Sequence, residues 1–192
     1  MFTHKVMKIG AALAVLGALA ACGESGNGAA TKQSSKKVET PNLGMDISHA
    51  ELAAWDIGIG PDGAGLPPGG ATAKQGAEIY REKCAACHGM TGEGKPADRL
   101  VGGIGSLAGD TPVKTVASYW PYATTLFDFV RRSMPLNEPQ SLTNDEVYAV
   151  SAHILHLNGL LGEDEVLNAE NLPKVQMPNR DGFTIIYPGN LK

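Results

Sequence analysis

Residues 84–88 read Cys-Ala-Ala-Cys-His, and this pentapeptide constrains the chain more than any other feature. Two thiols three positions apart, with an imidazole directly after the second, are the signature of covalent c-type haem attachment. The spacing explains the residue types. At a helix end the two sulfurs can add to the two vinyl groups of one haem, and His88 then lies under the iron as proximal ligand. Other uses fit less well. A structural zinc site needs four ligands, usually as two pairs, and the sequence has no second Cys-x-x-Cys or Cys/His pair at finger spacing. A redox dithiol calls for a βαβ context, whereas these surroundings are helical and Gly-rich. A plain disulfide leaves His88 unexplained.

Haem c is attached outside the cytoplasm, and the N-terminus agrees with export. Residues 1–8, with Lys5 and Lys8, form a short basic segment, and the apolar run IGAALAVLGALAA that follows is too short for a stable bilayer span. Residues 1–21 are therefore expected to be a signal peptide. Leu19, Ala20, Ala21 and Cys22 resemble the lipobox of bacterial lipoproteins, which implies cleavage before Cys22 and a lipid on its sulfur; an ordinary signal cleaved after small residues is the alternative. Gly23, in place of aspartate, leans towards the outer membrane over the inner. The expected location is periplasmic and lipid-anchored. Cleavage would leave 14 of the 16 basic residues against 20 acids. That balance, without clustered Lys and Arg, excludes nucleic acid as a partner.

At 192 residues the chain suits one domain with extensions. Residues 22–44 are rich in Gly, Ser, Ala, Thr and Lys and poor in apolar groups, so they are expected to form a flexible tether. Residues 45–70 form an arm that packs on the domain, with Trp55 as its anchor. The domain occupies 71–161. Thr72 with Gln75 is a capping box that starts a helix running into Cys84. A glycine-punctuated loop follows His88. Residues 122–133, with Leu126, Phe129 and Val130 at helical spacing, predict a middle helix that Pro135 stops. Thr143 with Glu146 caps a last helix carrying Val147, Val150, Ile154, Leu157 and Leu161, with Gly159 at its end. Residues 162–192 are an irregular extension.

The sixth iron ligand is usually a methionine in electron-carrying haem proteins. Met1 and Met7 leave with the signal, Met90 is too close to His88 to reach the opposite haem face, and Met45 lies in the arm. Met134 and Met177 remain. Met134 closes the middle helix, is stiffened by Pro135 and lies 46 residues after His88; it is the expected ligand, with Met177 the alternative. His153 or His156 could instead make a bis-histidine iron of lower potential, although His153 is better explained by packing where the last helix crosses the first.

A helix ending in CAACHG, a Gly-rich loop, a middle helix ending in Met-Pro and a final helix crossing the first resemble a class I cytochrome c over residues 72–160. That resemblance implies an all-α fold, three to four helices around one covalently bound haem, here with irregular N- and C-terminal extensions. It implies that Gly76 and Tyr80 on the first helix meet Val150 and His153 on the last. More narrowly, YATTLFDFVRRSMPLNEPQSLTNDEVYAVSAHILHLNG and LPKVQMPNRDGF are similar to the cytochrome subunit of bacterial sulfane dehydrogenase, over about residues 46–188. What this implies is an electron-transfer subunit, not itself the catalyst. Its donor would be a molybdenum-cofactor dehydrogenase subunit acting on sulfur compounds and its acceptor a downstream cytochrome or oxidase. A free-standing respiratory shuttle and a haem enzyme with an open sixth site are the rival functions.

Overall fold

The computed structural model describes residues 43–53 and 55–184. The expected signal peptide, Cys22 and all of the expected tether except Leu43 and Gly44 lie outside the described residues. The larger of two compact units begins at Asp46, and the description below concerns that unit. Its elements are α1 (His49–Ala53), β1 (Gly70–Thr72), α2 (Ala73–Lys83), α3 (Ala85–His88), α4 (Val116–Tyr119), α5 (Ala123–Ser133), α6 (Asn144–Leu157) and β2 (Val166–Asn168).

Helices α2 and α6 start where the sequence signals them. Thr72 Oγ1 accepts the Gln75 N–H at 3.2 Å while Gln75 Oε1 accepts the Thr72 N–H at 2.8 Å. Thr143 and Glu146 repeat the arrangement at the start of α6. Each box satisfies two donors that the first helical turn leaves free, a contribution of about 1 kcal/mol. Gly159, at φ +72°, turns the chain away after α6.

The two helices cross at Gly76. A Cβ there would collide with the carbonyl of Ala149 and come within 2.9 Å of the His153 Cβ, so only glycine lets the backbones approach this closely. One turn further, the Tyr80 and His153 rings meet at 5.1 Å, and the Tyr80 hydroxyl donates to the Gly89 carbonyl at 3.0 Å. The partner of Gly76 is thus Ala149 together with His153. Val150, expected beside them, is buried and also lines a cavity. In α5 the core positions are Leu126, Phe127 and Val130. Phe127 packs on Tyr148 at 4.5 Å, while Phe129, expected in the core stripe, is 43% exposed.

Two expectations outside the helices need correction. Trp55 is 82% exposed and anchors nothing within the described residues. The arm is instead held by its later part: half-buried Ile59 and Leu66 pack against the core, the Ile59 N–H donates to Asp128 Oδ1 at 3.2 Å, and Tyr148 Oη donates to the Pro67 carbonyl at 2.8 Å. The C-terminal extension is not irregular throughout. Its β2 pairs antiparallel with β1, Ala71 opposite Leu167, and Leu167, Leu172 and Met177 are buried.

Candidate functional site

Helix α2 stops at Cys84, whose φ of −124° leaves the helical range while its N–H still bonds the Tyr80 carbonyl at 2.8 Å. The Cys84 carbonyl then accepts the N–H groups of Cys87 and His88 at 3.1 and 3.0 Å. One tight turn therefore carries both sulfurs and the imidazole, and Gly89, at φ +82°, ends it. All three side chains line a cavity of about 670 Å³. Its walls are apolar, with Leu126 and Val130 from α5, Val150 and Ile154 from α6, and Val116 from α4. Lys83, Arg99 and Lys114 border it, with Asp98 as the one acid among its lining residues.

The orientation of His88 is fixed from behind. Its Nδ1 lies 2.8 Å from the main-chain carbonyl of Asp98. A carbonyl only accepts, so Nδ1 carries the proton and Nε2 keeps its lone pair for a metal. Burial pushes the Cys84 thiol up to about 11, with Lys83 opposing and Cys87 adding, so the free sulfur is a neutral thiol at pH 7.

Met134 lines the same cavity. It is the C-cap of α5, its N–H bonded to the Val130 carbonyl at 3.1 Å, and Pro135 follows. The other candidate ligands lie elsewhere. Met177 is 3% exposed within the hydrophobic core and does not line the cavity. Met90 is 59% and Met45 96% exposed. His153 lies against Tyr80, and His156 Nδ1 is 3.0 Å from the Leu161 carbonyl. Among the described residues no group of three or more His, Cys, Asp or Glu side chains could hold a metal ion.

The donor chemistry fits a haem: an imidazole with a defined tautomer and a soft thioether on the walls of one apolar cavity, beside two thiols on one turn. The cationic border suits anionic edge groups. The Asp98 carbonyl had no signature in the sequence, because any residue supplies one. Tyr119 and Trp120, also in the wall, lie in a stretch too short for periodicity to place.

The cytochrome c family profile matches residues 73–158. Thiosulfate dehydrogenase of Psychrobacter arcticus is 29% identical over 126 residues, covering 62% of this chain and 38% of that protein, so the chain spans well under half of that relative's length. Among solved structures, a chain of the sulfane dehydrogenase SoxCD from Paracoccus pantotrophus superposes with a TM-score of 0.71 at 43% identity, covering 79% of this chain and 73% of that one. These matches bear out the fold and both resemblances drawn from the sequence.

Proposed function

The chain belongs to the cytochrome c family, and from that premise we propose that Cys84 and Cys87 hold one haem c as thioethers, that His88 and Met134 ligate its iron, and that the protein relays electrons without transforming a substrate. The haem, when bound, supplies a one-electron ferric/ferrous couple. His88 is aimed by the Asp98 carbonyl, which also makes its imidazole a better donor. Met134 is set by the end of α5 and stiffened by Pro135. The walls from α5 and α6 exclude water, so charge on the iron is poorly solvated and the potential is held up by burial and by the thioether. Lys83, Arg99 and Lys114, with exposed Leu136 beside them, offer a docking edge to a redox partner. The observation that carries this reading is that His88, with its tautomer fixed, and Met134 share one cavity with both cysteines.

The electron donor we infer is a molybdenum sulfur-compound dehydrogenase, supported by the likeness to a chain of sulfane dehydrogenase, and the acceptor a downstream cytochrome or oxidase. We place the protein in the periplasm, lipid-anchored through Cys22 and leaning to the outer membrane, on the strength of residues 1–23. Purified holoprotein tests the site. Met134→Ala should abolish the weak far-red band of methionine-ligated ferric haem and admit cyanide at least 10-fold faster, whereas Met177→Ala should keep both the band and the slow kinetics. Rapid cyanide binding by the unaltered protein would instead show an open sixth site and a haem enzyme. Pulldown from membranes after growth on thiosulfate tests the partner. Co-purified molybdenum supports a dehydrogenase subunit, and a haem protein recovered alone supports a free shuttle.

A further inference from the structure

The carbonyl behind His88 belongs to residues 97–102, a segment with no helix or strand. Its near end is tied to the haem-binding turn, Ala97 N–H to the Cys87 carbonyl at 2.9 Å and Leu100 N–H to the Gly92 carbonyl at 2.8 Å. Cys87 lies in α3 and Gly92 in the loop just after it, so these bonds tie the segment to its own end of the motif and leave its link to α6 to other groups. The far end is different. Asn158, the C-cap of α6, accepts the Gly102 N–H on Oδ1 at 3.0 Å and donates from Nδ2 to the Leu100 carbonyl at 3.3 Å and to the Ile154 carbonyl at 2.9 Å. The Gly102 carbonyl is taken by Thr115 Oγ1 at 2.6 Å. One amide therefore uses its acceptor and its donors to clip the loop to the end of α6, two residues from the carbonyl that orients His88.

We propose that Asn158 is a positioning residue for the proximal ligand: by clipping residues 100–102 to α6 it holds the Asp98 carbonyl against His88 Nδ1 and thereby lowers the reduction potential. The proposal rests on His88 being an iron ligand. A firm hydrogen bond at Nδ1 makes the imidazole more basic and favours the ferric iron it faces. Without the clip the carbonyl can drift, the bond weakens, and the ferrous state gains.

The test is potentiometry on holoprotein together with NMR of the hyperfine-shifted His88 ring. Asn158→Ala should raise the midpoint potential by about tenfold in the reduction equilibrium constant, about 59 mV for one electron, and speed exchange of the His88 Nδ1 proton. Asn158→Ser serves if alanine prevents folding. Its hydroxyl can still bond the Ile154 carbonyl, as serine does within a helix, but is too short to reach both loop sites, so the same two changes are expected. Gly159→Ala is the control. It strains the same helix end, where φ is +72° with open space around a Cβ, without touching the loop, and should leave the potential unmoved. An unchanged potential and exchange rate in both Asn158 variants, with the wild-type haem spectrum intact, would overturn the proposal. So would an equal shift in Gly159→Ala. If the wild-type His88 ring shows no hyperfine shift, the ligand assignment itself fails and takes the proposal with it.

Discussion

The crossing of α2 with α6 and the C-terminal extension both bury side chains completely, but they do so with different resources. At the crossing, two capped helices of 11 and 14 residues meet through a glycine and an aromatic pair. Among the described residues the extension offers a three-residue strand and a single 3-10 turn, Leu172–Lys174. Yet Leu167 and Leu172 have no exposed surface, and Asn179 Nδ2 donates to the Tyr119 carbonyl in the cavity wall at 2.6 Å. Regular structure is thus not a measure of how much of the core a segment supplies. The crossing is stiff because its backbones touch; the extension is stable because its few apolar residues fill the space the helices leave.

The crossing should be the more fragile to added bulk. In Gly76→Val the new side chain meets the Ala149 carbonyl, a backbone atom of a buried helix that cannot rotate away. The helices must separate, at a cost of about 3 kcal/mol or more, which lowers the melting temperature of the holoprotein by about 10 °C. A variant that melts with the wild type would mean the two backbones do not meet at this point.

The extension should be the more sensitive to removal. Leu172→Ala deletes a fully buried side chain that packs with α5, and its expected cost in urea unfolding is about 2–4 kcal/mol. A loss below about 0.5 kcal/mol, the range of exposed sites, would make the extension a loose appendage and the comparison false.

This contrast also explains what could be read in advance. Thr72 with Gln75 and Thr143 with Glu146 declare their helices through partners three residues away, and Cys84, Cys87 and His88 are a motif whose chemistry depends on adjacent positions. Met134 stood out by its place between a helix end and Pro135, and it lines the cavity. Pairing of Ala71 with Leu167 joins segments far apart in the chain, and three residues carry no usable alternation. Trp55 failed as an anchor because a lone aromatic in a turn-rich stretch says nothing about what it touches. Phe129 shares helical spacing with Leu126 and Val130 yet is 43% exposed, because periodicity shows that a helix has an apolar face but not where that face leaves the core. Asn158 carries no local signal in the sequence; its reach to Leu100 and Gly102 exists only once α6 is docked.

The smallest expected effect separates the two regions by pH. His153, half-buried at the crossing, has its pKa lowered from the ordinary 6.5, chiefly by burial and then by His156, with a hydrogen bond to the backbone of Ala73 opposing. The unfolded chain therefore takes up this proton at higher pH than the folded one does. Above pH 6.5 both states are neutral at this position and its contribution to stability is whole. As pH falls below 6.5 the unfolded state binds the proton first, so stability declines until the pH passes the lowered folded value, and then levels off. Glu146 has its pKa lowered from 4.5, first by its hydrogen bond with the Thr143 backbone, and its loss falls at still lower pH, leaving the interval between about 6.5 and 5 to histidine. In His153→Phe the ring contact with Tyr80 is kept and the titration is gone, so the unfolding free energies at pH 7.5 and 5.5 should draw together. In Leu172→Ala, which neither removes nor adds a titrating group, both values should fall by the same amount and their difference should persist. If the difference survives in His153→Phe as well, the acid sensitivity has its origin outside the crossing.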